Sequence, residues 1–180
     1  MRIYIKVLVI IFFIFSSVFS FSQESKKIKW YSFEEAVELN KKHPKKIFVD
    51  VYTSWCGWCK KMDVTTFSNP DVAEYMNKHY YCVKLNAESS DTIVYQDNVY
   101  VNPKPGVRRS SHQFAVALLQ GKMSYPSYVY LNEKFQLLSV VPGYLSVQRF
   151  EPIIKYFGED VHLSKSWADY QKTFVNKFKL

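Results

Sequence analysis

Apolar and polar positions along this chain switch between the period of a strand and that of a helix. Ile28 to Tyr31 reads as a short first strand. Ser32-Phe33-Glu34-Glu35 then has the form of a capping box, in which the Ser32 hydroxyl and the Glu35 carboxylate each cover a free N–H at a helix start. Phe33, Ala36, Val37 and Leu39 form the apolar side of that helix, which ends before Pro44. Lys46 to Tyr52 is β-branched and aromatic, the pattern of a buried central strand. A second helix starts with Asn69 as cap and Pro70 as first residue and runs to about Lys78, and Tyr81 to Leu85 is another strand. The order β, α, β, α, β predicts one sheet covered by helices.

The second half is less regular. Val94-Tyr95 and Val99-Tyr100-Val101 flank Gln96-Asp97-Asn98 as a hairpin, and Asn102-Pro103-Lys104-Pro105-Gly106 is a loop. Residues 89–110 therefore read as an insertion, expected near the functional face. A helix from about Ser111 to Gln120 follows, stopped by Gly121. Ser127 to Leu131 and Phe135 to Val141 form a hairpin around Asn132-Glu133-Lys134. Ser146 caps a further helix that ends at Gly158, with Pro152 inside it predicting a kink or a late start. From Ser164 onward, Trp167, Tyr170, Phe174 and Phe178 recur at spacings of three and four. That stripe predicts an extra helix packed on the core, with a partner-docking helix as the alternative.

The amino terminus changes the picture of where the protein works. Arg2 and Lys6 precede an almost unbroken apolar run from Val7 to Phe21, and Ser20-Phe21-Ser22 places small residues where a signal peptidase reads. The run falls short of the roughly 20 residues that span a bilayer as a helix. Residues 1–22 are thus expected to be a cleaved signal peptide, with an uncleaved membrane anchor as the alternative. The expected organisation is a domain over residues 23–163 with a tail over 164–180, and the expected location periplasmic or secreted.

The chain of 180 residues is 48% hydrophobic, enough for one well-packed domain. Its net charge of +8 is spread over scattered pairs such as Lys41-Lys42, Lys60-Lys61 and Arg108-Arg109. This is a solvated basic surface without the clustered stripe of a nucleic-acid binder, and no nucleic-acid partner is expected. Three cysteines in an exported chain predict a disulfide for a close pair and one thiol left over.

The close pair is Cys56-Gly57-Trp58-Cys59, at the junction of the Lys46–Tyr52 strand with a helix. A first cysteine at a helix N-terminus has its thiolate stabilised by free N–H groups and the helix dipole. The second lies one turn on and can attack a mixed disulfide formed by the first. The first thiol is expected to be exposed and acidic. His43, His79, His112 and His162 supply no second ligand pair at metal spacing, so neither a metal nor a cofactor is expected.

The segment Phe48-Val49-Asp50-Val51-Tyr52-Thr53-Ser54-Trp55-Cys56-Gly57-Trp58-Cys59-Lys60 resembles the active-site segment of the thioredoxin family. Asp50 falls six residues before Cys56, where that family keeps a buried carboxylate, and Val83-Lys84-Leu85-Asn86 resembles the strand whose lysine approaches it. Tyr125-Pro126 resembles the cis-proline loop and Gly143-Tyr144-Leu145-Ser146 the glycine turn before the last helix. The resemblance covers about Trp30 to Phe157.

It implies an α/β thioredoxin-like fold: a central mixed sheet flanked by helices, with an insertion before the cis-proline loop and an extra C-terminal helix. It implies an enzyme that exchanges disulfides with protein substrates. Cys56 would attack, Cys59 would resolve, Asp50 would accept the Cys59 proton, and Lys84 would modulate Asp50. Trp55, Gly57, Trp58, Tyr125 and Pro126 would form the substrate groove. Cys82 is expected to be a buried free thiol.

The dipeptide Gly57-Trp58 departs from the family, whose reductases usually carry Gly-Pro and whose oxidases and isomerases usually carry a histidine. The direction of electron flow stays open, leaning towards reduction or isomerisation. A reductase in an oxidising compartment would need a membrane electron donor, and the chain is expected to be monomeric. A redox-inert binding module that uses residues 89–110 and the aromatic tail is the competing reading.

Overall fold

Lys46–Tyr52 lies at the centre of a five-stranded sheet in the computed structural model, which describes residues 27–179. The signal peptide read over residues 1–22 lies outside them. In chain order the elements are β1 (Trp30–Tyr31), α1 (Phe33–Lys42), β2 (Lys46–Tyr52), α2 (Gly57–Thr65), α3 (Pro70–His79) and β3 (Tyr80–Asn86). They continue with β4 (Ile93–Tyr95), β5 (Asn98–Tyr100), α4 (Gln113–Leu118), β6 (Ser127–Leu131), β7 (Leu137–Pro142), α5 (Val147–Gly158) and α6 (Trp167–Thr173). The sheet order is β1-β3-β2-β6-β7, with β1, β3 and β2 parallel and β6 and β7 antiparallel to their neighbours. No helix among the described residues is long and apolar enough to cross a membrane.

Both faces of the sheet are covered, which is why β2 shows no clean polar alternation. Phe48, Cys82, Tyr128 and Tyr130 pack with α2, α3 and α5 on one face. Ile47, Val49, Val51, Val83, Leu85 and Val129 pack with α1 and α4 on the other. Local signals account for the helix starts. Ser32 and Glu35 complete both halves of the capping box, and the Asn69 side-chain oxygen accepts the N–H groups of Asp71 and Val72 just after Pro70.

Several expectations need correction. The Ser146 helix has no late start: α5 begins at Val147 and runs through Pro152. Proline cannot donate to the carbonyl four residues back; that oxygen, on Gln148, accepts instead from the Asn176 amide at 2.9 Å. Phe135 does not open β7. Its φ is +60° in a turn where Asn132 Oδ1 accepts the Lys134 and Gln136 N–H groups, so β7 starts at Leu137.

The aromatic tail is helical only over Trp167–Thr173, and the chain leaves that helix at Phe174, whose backbone is extended. Trp167 and Tyr170 pack on the core from the helix, whereas Phe178 reaches it from the segment beyond the helix. The buried Glu151 carboxylate holds that segment by accepting the Lys177 N–H at 2.9 Å and the Phe178 N–H at 3.1 Å. The β4–β5 hairpin packs Tyr95 and Tyr100 against Phe33 and Phe114 on the α1–α4 face. At the end of the insertion, Arg109 joins Glu88, the residue just before the insertion, in lining a cavity beside Trp55.

Candidate active site

β2 feeds its last residues directly into the turn before α2, which puts Cys56 at the N-cap of that helix. Cys56 and Cys59 are joined in a disulfide, with Cα atoms 5.3 Å apart. Cys56 Sγ also accepts the Cys59 N–H at 3.0 Å, the place a capping oxygen takes in an ordinary helix. The first turn of α2 holds no acidic side chain, so its N–H groups and positive end face the sulfur unopposed. An exposed first thiol was expected, but in this disulfide form Cys56 is only 5% and Cys59 3% accessible. The exposed rings of Trp55 and Trp58 flank the pair instead.

Asp50 projects onto the sheet face covered by α2. Its cross-strand neighbours are Lys84 on β3 and Tyr128 on β6. Asp50 is 1% accessible; Oδ2 lies 2.8 Å from Lys84 Nζ, while Oδ1 is buried with no hydrogen-bond partner. Burial pushes the carboxyl up to about 6, against the downward pull of Lys84. Lys84 also bonds Asp63, on α2 one turn beyond Cys59. Burial tends to lower the Lys84 ammonium, but its two carboxylate partners leave it raised. Its Nζ lies 4.9 Å from the Trp30 ring centroid and 5.0 Å from that of Tyr52.

The opposite wall comes from the loop before β6. The Tyr125–Pro126 peptide is cis, and the Tyr125 ring meets Trp55 edge-on at 6.0 Å. Pro126 is buried, and its carbonyl accepts the Gly143 N–H at 2.8 Å. A Cβ at Gly57 would meet nothing within 4 Å, so the approach to the pair is open there. Trp58 leans on Tyr144 at 5.5 Å, with Lys61 Nζ 5.1 Å from its ring.

Cys82 is buried, and burial pushes its thiol far above the usual range, so it stays neutral. It takes no part in the site.

Sequence reasoning missed two members of this arrangement. Asp63 carries a readable signal, because four residues after Cys59 is the next turn of the same helix. Glu88 carries none. Its carboxylate takes the Trp55 indole N–H at 2.9 Å and the Arg109 backbone N–H at 2.7 Å, tying the insertion to the CxxC wall. With Ser111, Met123, Ser124 and Tyr125, these residues line a cavity of about 330 Å³.

The mixed sheet, the helix-capping CxxC and the cis-proline loop define a thioredoxin fold, and solved structures agree. A DsbH oxidoreductase superposes with a TM-score of 0.53 at 20% identity, covering 74% of this chain and 85% of the other. A thioredoxin-fold protein from Helicobacter pylori gives 0.54 at 15% identity, covering 83% and 84%. Likeness at these identities is one of fold. Residues 14–141, more than half of the chain, match the Thioredox_DsbH family, described as "Protein of unknown function, DUF255", and the chain belongs to that family. An uncharacterized protein of Archaeoglobus fulgidus is 35% identical over 74 residues, covering 41% of this chain and 58% of that protein. The chain spans less than three fifths of the length of the curated relatives it matches.

Proposed function

We propose that this chain is a thiol–disulfide oxidoreductase acting on protein substrates, working as a reductase or isomerase. The observation that carries the reading is the disulfide pair itself: Cys56 caps α2, and its partner Cys59 follows one turn on. In the reduced chain, the Cys56 thiolate attacks a substrate disulfide and expels one substrate thiolate. Cys59 then gives up its proton and attacks Cys56 Sγ. The second substrate thiolate leaves, the Cys56–Cys59 bond closes, and two electrons have passed to the substrate.

Asp50 is the acceptor for the Cys59 proton. A carboxyl with its affinity near about 6, enclosed on the face that α2 covers, is suited to taking a proton near neutral pH. Lys84 keeps that carboxyl from rising further. Trp55, Gly57, Trp58, Tyr125 and Pro126 form the groove in which an extended substrate segment pairs with the Tyr125 backbone. On this reading the protein is a monomer exported to the periplasm or beyond, recharged by a dithiol donor in the membrane.

The test is a Cys59→Ser variant recovered from cells. It leaves Cys56 able to attack but nothing to resolve the product, so substrate proteins are expected to accumulate as mixed disulfides on Cys56. Recovery of none, with function retained when both cysteines become serine, would replace the enzyme with a binding module.

A further inference from the structure

Lys84 is one cation serving two carboxylates. Its Nζ lies 2.8 Å from Asp50 Oδ2 and also bonds Asp63 Oδ1. The two acids differ in their surroundings, since the Asp50 side chain is 2% accessible and that of Asp63 is 43%. Among the described residues, Lys84 and Asp63 are the charges that bear on Asp50. The other titratable neighbours, Cys82 from β3 and Tyr128 from β6, stay neutral because burial raises both. From α2 the buried side chains are Cys59 and Met62, α3 buries Val72, Ala73 and Met76, and the buried carboxylate of α5, Glu151, is paired with Lys155.

Lys84 has contacts besides Asp63 that hold it, the Asp50 ion pair among them. The ammonium is already surrounded by the rings of Trp30, Tyr52 and Phe67, at 4.9, 5.0 and 5.4 Å. What Asp63 changes is the charge balance: with it the cluster carries one excess negative charge, and without it Lys84 would neutralise Asp50 alone. We propose that Asp63 is a positioning residue that acts on Asp50 through the shared Lys84, raising the proton affinity of Asp50 and so setting the pH at which Cys59 resolves the mixed disulfide. This rests on the thiol–disulfide reading above. Because Asp63 is partly exposed, the effect should weaken as salt is raised.

The experiment follows the reduced chain reacting with an aromatic disulfide whose thiolate is coloured. Cys56 attacks and the first aromatic thiolate leaves. Cys59 then attacks Cys56 Sγ, its proton passing to Asp50, and the second thiolate leaves as the Cys56–Cys59 bond closes. The rate of the second release is read by stopped flow across the acid and neutral range.

In Asp63→Asn the acid limb of that profile is expected to move down by about half a pH unit, a threefold change in proton affinity. Asp63→Glu should restore it. In an Asp50→Asn background, Asp63→Asn should add nothing, which distinguishes action through Asp50 from direct action on Cys59. Superimposable profiles for Asp63→Asn and the native chain, or an equal shift in the Asp50→Asn background, would overturn the inference and leave the redox reading standing. Absence of a second release from the native chain would overturn the redox reading itself.

Discussion

Replacing Asp50 with asparagine should make the protein more stable while impairing its chemistry. The substitution keeps size and shape and leaves Lys84 its bond to Asp63. The native carboxyl stands at about 6 against an ordinary 3.8, chiefly because it is buried. Between those two values the native state holds a proton that the unfolded chain has already released, so stability falls as pH rises through the window. Above it the full cost applies, about 3 kcal/mol at about 1.36 kcal/mol per unit. Asparagine mimics the protonated acid and escapes that cost.

In a domain of this size the gain corresponds to roughly 6–12 °C in melting temperature near pH 7. Thermal melts of the oxidised native chain and of Asp50→Asn, run near about pH 7 and about pH 4, test the linkage argument. The two chains should nearly converge at the acid end, where the native aspartate is protonated and that of the unfolded chain about half so. Equal stability near neutrality, or the same gain at both pH values, would refute the argument that burial outweighs the Lys84 ion pair.

Two further predictions concern the scaffold. Gly158→Ala would place a Cβ 2.8 Å from the Tyr75 hydroxyl and 3.1 Å from that of Tyr80, which itself donates to the Ile154 carbonyl; urea unfolding should show a loss of about 1–3 kcal/mol. Glu151→Ala leaves the Lys177 and Phe178 N–H groups without their acceptor and Lys155 without its partner. A loss of about 3 kcal/mol is expected, with faster proteolytic clipping after residue 173 while the rest of the domain resists; uniform resistance would contradict the clasp.

The fold and the reactive pair were legible in the sequence because local rules and tertiary context agree there. The capping box at Ser32, the Asn69-Pro70 start and the β-branched run before Cys56 each specify an element on their own, and their order specifies the sheet. Pro152 misled because a local rule was applied alone: the helix continues through it, and Asn176, far along the chain, satisfies the freed Gln148 carbonyl. The tail misled for the opposite reason. Spacings of three and four look helical up to Phe178, yet the helix stops at Thr173 and Glu151 takes the N–H groups of Lys177 and Phe178. Glu88 was invisible because nothing in its local sequence indicates that its two oxygens bridge Trp55 and Arg109. Asp63 could have been found from its offset to Cys59, but its partner Lys84 comes from a separate strand.

The central claim, that Cys56 and Cys59 form a working redox couple, is tested most directly by the reduction potential of the pair, measured by equilibrating the chain with defined thiol buffers. A single reversible two-electron transition is predicted, with a midpoint nearer about −270 mV than about −120 mV. A midpoint near the upper value would make the protein a disulfide donor, and a bond that shows no reversible transition would contradict the account.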